Sequence, residues 1–194
     1  MSTLKTGALR GTSGTADSVQ LHASNQSVTF PGDVTCSGTA TGFGGGKLLQ
    51  VVNNPTACTA TQDISSTTTW TDFTNLTLSI TPSAATSKIF IVVNACLKYQ
   101  VASAADFQAK IRIQKTIGGS TTDVIMNGIR LYDYSTAGNY WVGMQTMMKL
   151  DAPNTTSAIT YKVGGYMGVG TQFSINKDST GENESTLTAF EIGA

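Results

Sequence analysis

The sequence predicts an all-β protein: an antiparallel β-sandwich or jelly-roll-like domain, preceded by a β-rich, extended amino-terminal arm. Three observations predict it. From Lys47 onward, apolar side chains recur at nearly every second position, the spacing that turns one face of a strand toward a core. Clusters of Gly, Pro and Asn interrupt these runs at short intervals, as turns between short strands do. No apolar stripe of helical period continues beyond two turns, so neither a bundle nor an α/β layer is expected.

Residues 1–43 form the arm. Short strands are predicted at 18–22, 26–30 and 33–36, separated by Gly and Asn turn signals. Their apolar side chains are Val19, Leu21, Val28, Phe30 and Val34. These are too few to offset the roughly 1–2 kcal/mol per residue lost on ordering a backbone. The arm is therefore expected to pack on copies of itself or on another protein. Gly44, Gly45 and Gly46 follow as a flexible linker.

Residues 47–194 form the outer domain. A first strand is predicted at 48–52. Residues 66–73 and 75–81 read as a pair of strands joined by a short turn, the second carrying Leu76, Leu78 and Ile80 in strict alternation. The run 88–101 places Ile89, Ile91, Val93, Ala95 and Leu97 on one face and Phe90, Val92, Asn94 and Cys96 on the other. Its first half is thus expected to be buried on both sides. Over 107–113, Ala109 and Ile111 point inward and Gln108, Lys110 and Arg112 outward. Further strands fit 124–126, 129–134, 140–150, 158–169, 172–176 and 185–192. Gly118-Gly119, Ala137-Gly138-Asn139, Pro153-Asn154 and Gly181 mark the turns.

Charged residues are only 12% of the chain, 12 basic against 12 acidic, about half the usual ~25%. Ser and Thr supply about a quarter. Such a surface is solvated by hydroxyls and suits subunit interfaces, whose cores are poor in charge. The zero net charge offers nothing to nucleic acid, and no apolar run approaches the ~20 residues of a membrane span. Cys36, Cys58 and Cys96 are odd in number and far apart, so neither a disulfide framework nor a zinc cluster is expected. His22, the one histidine, lies in the arm, which leaves the outer domain without the base of a nucleophilic triad. Asp123, Asp133, Asp151 and Glu191 are the carboxylates that could pair for glycoside cleavage, but the sequence brings no two of them together. Gly44-Gly45-Gly46-Lys47-Leu48 has neither the spacing nor the hydroxyl of a phosphate loop. The glycines of 164–170 are expected to serve a bulge or a close strand approach. No catalytic residue, cofactor or metal is expected.

The segment 130–141 is the candidate recognition surface. Tyr132, Tyr134, Tyr140 and Trp141 alternate there with Asp, Ser and Asn, and aromatic rings among polar groups can stack on a sugar or grip a protein at low entropic cost. The same rings would serve equally as core and subunit-interface residues.

Several stretches carry a family resemblance. The stretch 67–93, TTTWTDFTNLTLSITPSAATSKIFIVV, combines with Lys47-Leu48-Leu49-Gln50-Val51-Val52 and with Ser185-Thr186-Leu187-Thr188 near the end. Met1-Ser2-Thr3-Leu4-Lys5 and Ser27-Val28-Thr29-Phe30-Pro31-Gly32-Asp33-Val34-Thr35 belong to the same pattern. Together they resemble a family of small bacteriophage virion structural and tail-fibre proteins, common in marine and cyanobacterial phages. The resemblance implies a non-enzymatic protein made in the bacterial host cytoplasm and carried in the phage particle. It further implies a homotrimer whose arm (Val19, Leu21, Val28, Phe30, Val34) attaches to other virion proteins of the tail or capsid. The outward domain would meet a host surface glycan or protein. A trimeric capsid decoration or cement protein, and a carbohydrate-binding module, are the alternatives left open.

Overall fold

In the computed structural model the described residues are 8–9, 19–21, 28–29, 47–64, 69–101, 105–132, 139–177 and 183–193. The chain divides into two units, Met1–Phe43 and Gly44–Ala194. In the first, β1 (Ala8–Leu9), β2 (Val19–Leu21) and β3 (Val28–Thr29) pair antiparallel in the order β1-β2-β3. β2 and β3 fall within the predicted strands at 18–22 and 26–30. β1 escapes prediction because two residues show no period. The predicted strand at 33–36, with Phe30, Val34, His22 and the Gly linker, lies outside the described residues.

The second unit holds β4 (Leu48–Asn53), β5 (Gln62–Ile64), β6 (Thr71–Ile80), β7 (Lys88–Gln100) and β8 (Asp106–Ile117). β9 (Ser120–Tyr132), β10 (Tyr140–Asp151), β11 (Ile159–Val169), β12 (Gln172–Ile175) and β13 (Thr186–Ile192) complete it. Six strands form one sheet, β4-β13-β7-β12-β5, with β10 on the other side of β7; four form the second, β6-β11-β8-β9. Apart from the short β5 and β12, the sheets read β4-β13-β7-β10 and β6-β11-β8-β9. Every strand is then followed by one in the opposite sheet, except at the β8–β9 hairpin. That alternation is the connectivity of a jelly roll. The hairpin turns on Gly118 and Gly119, with φ of 55° and 85°, the left-handed pair that a two-residue turn between twisted strands requires.

Inward-facing side chains of both sheets make the core. Ile89, Ile91, Val93, Ala95 and Leu97 of β7 are all fully buried, as are Phe107, Ile111 and Ile113 of β8. Four rings close one end: Phe173 lies 5.7 Å from Tyr99 in a stack, and 6.1 Å from Phe107 and 6.3 Å from Phe73 edge-on. Gly165 of β11 sits against this cluster, so the predicted close approach in 164–170 is present. β11 also shifts register at Lys162/Gly164 and at Met167/Val169.

Two expectations need correction. Of the predicted strands 66–73 and 75–81, residues 66–68 lie outside the described residues, and the rest is not a hairpin: β6 is one strand, and both of its halves pair with β11. Asn75 takes φ 64° and absorbs extra residues as a bulge, which resets the alternation so that Phe73 and Leu76 both face inward. Likewise 124–126 and 129–132 belong to the single strand β9, which is interrupted only by a register shift opposite Ile113/Gln114, and residues 133–134 of the second predicted strand lie outside the described residues. β5 was not predicted; it is a three-residue partner of β12.

β12 and β13 share one edge of β7, β12 against Leu97–Gln100 and β13 against Lys88–Asn94. Asn176, just after β12, and Ser185, just before β13, fill the gap between the two strands. Asn176 N–H donates to Cys96 O, and Cys96 N–H donates to Ser185 Oγ, each at 2.9 Å. Asn176 itself takes φ 55°, accepts from the Ser185 hydroxyl (2.7 Å) and donates through Nδ2 to Cys58 O (2.7 Å). Asn176 and Ser185 are buried, and their polar groups replace the ladder bonds that the break removes. Cys58 and Cys96 are free, buried thiols, and Cys36 lies outside the described residues. Burial raises the Cys58 pKa, so the thiol stays protonated, and it donates to Thr74 O at 3.1 Å.

Candidate interaction surfaces

The three described recognition residues flank the loop between β9 and β10. Tyr132 ends β9, 47% exposed, and Tyr140 and Trp141 open β10 at 62% and 38%. Lys98 Nζ stands 4.6 Å from the centre of the Tyr140 ring. Tyr134 lies outside the described residues, as does Asp133.

The remaining candidate carboxylates each have their own partners. Asp123 pairs with Arg112 at 3.3 Å. Asp151 takes a bond from Lys115 Nζ at 2.8 Å and another from the buried Tyr161 hydroxyl at 2.8 Å. It thereby ties the end of β10 to β8 and β11 in the opposite sheet. Glu191 is fully buried on β13 and accepts from Gln50 Nε2 (2.5 Å), Ser83 N–H (2.6 Å) and Ser83 Oγ (3.1 Å). No pair of them faces a common space, and no group of metal-ligating side chains occurs among the described residues.

Burial works against the charge of Glu191, but the bonds from Gln50 and Ser83 outweigh it and hold its carboxyl below the usual range. A depressed folded-state pKa contributes stability that is complete above the unfolded value, near ~4.3, and is lost as pH falls through the folded value. Melting temperature should therefore drop below about pH 4.3, and Glu191→Gln should flatten that drop. Asp63, held down by Ser174 and Lys177, supplies acid sensitivity that would persist in the variant. An acid limb unchanged by Glu191→Gln would contradict this reading.

Sequence reasoning missed the surface with the most apolar area. On the outer face of the six-stranded sheet, register aligns Val51 (β4), Phe190 (β13), Phe90 (β7) and Leu150 (β10) in one row. The Phe90 and Phe190 rings are 6.1 Å apart. Val92 and Met148 extend the row on one side, and Ile192 and Leu48 on the other. Val51 is 49% exposed, Leu150 47%, Met148 58% and Leu48 59%. Phe90 and Val92, expected to be buried on both sides, are only half-buried in the isolated chain. Along β10 the exposed apolar side chains continue through Met144 and Val142 to Tyr140. β10 pairs only with β7 among the described strands, none of which covers its other edge. That edge has no Pro and no charge before Lys149, whereas lone edge strands are normally protected by such residues.

The outer face of the four-stranded sheet is different. Arg112 stacks over the Trp70 ring at 4.2 Å, and Trp70 lies 5.7 Å from Tyr166. Beside them a trough of about 500 Å³ runs over β11, β8 and β9, with Lys110, Arg130, Tyr166, Gly128 and Gly168 in its lining.

No family model matches the chain, and no curated protein matches it. Among solved structures it is similar to that of the infectious bursal disease virus Gx strain, at 14% identity and a TM-score of 0.32, over 73% of this chain and 36% of the other. The infectious bursal disease virus VP2 subviral particle gives 14% identity and a TM-score of 0.31, over 75% and 37%. The Gt strain of the same virus gives 13% and 0.28, over 89% and 46%. The chain thus spans less than half the length of each of these solved chains.

Proposed function

We propose that this protein is a non-enzymatic structural component of a bacteriophage particle, assembled as a homotrimer through the outer face of its six-stranded sheet. The single observation that carries this reading is the apolar row Val51–Phe190–Phe90–Leu150 beside the β10 edge that no described strand covers. A face of this composition is what a second copy of the same charge-poor domain would cover. The threefold count and the phage setting rest on the family resemblance. In this reading residues 1–43 dock to a neighbouring virion protein by strand addition, which supplies partners for backbone groups that a coreless arm cannot satisfy. Tyr132, Tyr134, Tyr140 and Trp141 are then the candidate receptor contacts of a tail fibre. A head decoration protein would use the same trimer with a different neighbour.

The test is complementation of phage lacking the gene, with the protein assayed in purified particles and located there by labelled antibody. Full-length protein is expected in the particle at the tail; label on the head would replace the fibre with decoration. Protein lacking residues 1–43 should be absent. Arm-deleted protein incorporated at the wild-type level would refute attachment through the arm.

A further inference from the structure

The trough on the four-stranded sheet is built by two missing side chains. β8 is central, and Lys110 sits between Tyr166 of β11 and Gly128 of β9, while Gln108 sits between Val169 and Arg130. Gly128 and Gly168 leave the backbone bare on either side of these two rows. A Cβ at Gly128 would meet nothing within 4 Å, and one at Gly168 would make only ordinary contacts, at 3.5 Å from Tyr166 Cε1 and 3.6 Å from Gln108 O. The fold therefore does not require glycine at 128 to avoid a clash, and φ is not in the left-handed region there. The volume, about 500 Å³, is within the range of small-ligand sites.

The lining selects the ligand class. Lys110 is exposed and forms no ion pair with a described residue. Arg130, its side chain 72% exposed, spends one nitrogen on Asp106 at 3.0 Å and keeps other donors. Two cations reaching into one trough suit a carboxylate, which accepts charge-assisted bonds from both. Tyr166 contributes a ring wall, against which the C–H face of a pyranose can lie, and the Gln108 amide offers a partner for its hydroxyls. Nucleic acid would need a longer basic track, and the chain has no net positive charge.

We propose that this trough binds a carboxylated sugar, with Lys110 and Arg130 on the carboxylate and Tyr166 against the ring. The proposal gives the outer domain of the virion reading a ligand class and rests on that reading only for its biological setting. The test is saturation-transfer NMR and titration of the full chain with a disaccharide ending in glucuronic acid and with its glucose counterpart. The acidic probe should bind saturably, and the neutral one roughly tenfold more weakly, the worth of one charge-assisted bond. Gly128→Leu, which fills the trough from an open position, should abolish binding at an unchanged melting temperature. Lys110→Gln should weaken the preference for the acid, and Lys110→Gln combined with Arg130→Gln should remove it. No saturable binding to the wild type, equal binding of the two probes, or full binding by a folded Gly128→Leu would each overturn the proposal. None of those results would touch oligomer mass or particle incorporation, so the virion reading stands or falls separately.

Discussion

Gly165→Val should unfold the outer domain or lower its melting temperature by on the order of 10 °C, the equivalent of about 3 kcal/mol in a domain of this size. A Cβ on Gly165 would lie 2.7 Å from Phe73 Cζ and 2.8 Å from Phe173 Cε1. Neither ring has room to retreat. Phe173 is wedged among Phe73, Tyr99 and Phe107, and both Phe73 and Phe173 are buried. Interiors are packed as densely as organic crystals, so an added methyl is accommodated only by strain in its neighbours. Gly128→Val is the matched control, since it also places a branched side chain on a strand glycine, but one facing open space. It should be neutral or slightly stabilising, because replacing glycine restricts the unfolded chain. Pairing Gly165→Ala with Phe73→Leu should recover part of the loss by opening room on one side. Equal melting temperatures for Gly165→Val and Gly128→Val would show that the aromatic cluster yields easily and that the close approach is incidental.

The contrast between these glycines marks what the sequence could disclose. Period-two alternation on β7 and β8 named residues that are buried, from Ile89 to Leu97 on β7 and Ala109 and Ile111 on β8, because each strand's own pattern encodes its core face. It failed at β6 for a local reason. Asn75 adopts a left-handed φ without a glycine, so the phase reversal between Phe73 and Leu76 looked like a turn. The plug made by Asn176 and Ser185 was hidden for a different reason. Two polar residues at the ends of neighbouring strands look like loop until the shared edge of β7 is known, and only the fold supplies that edge. The four-strand apolar row was illegible in the same way, since its members come from β4, β7, β10 and β13, and only register places them side by side. The trough joins Lys110 to Gly128 and Tyr166 across three strands. The sequence instead drew attention to the contiguous aromatics of 130–141. The one hint of the apolar face was the expectation that the first half of β7 is buried on both sides, which the isolated chain leaves half fulfilled.

That hint leads to the second large effect: the double variant Val51→Lys with Leu150→Lys should convert an oligomer into a folded monomer. The two residues end the row on β4 and β10, and each is about half-exposed in the single chain. A lysine at either end can extend into water in the monomer, so its effect on the melt of the isolated fold should stay near the ~0.5 kcal/mol typical of surface changes. Covered by a neighbouring copy, the same ammonium loses its hydration and gains no partner in the row, at a cost of several kcal/mol. Symmetry repeats that cost at every subunit contact. Light scattering on the wild type at micromolar concentration should return three times the 20.3 kDa chain mass, and the double variant should return a single chain mass with strand-type circular dichroism. Met126→Lys, on the outer face of the other sheet and 43% exposed, should leave the trimer intact and serves as the control for added charge alone. A wild type that is monomeric at that concentration, or a double variant that keeps the wild-type mass, would remove the outer face of the six-stranded sheet as the surface through which this chain assembles.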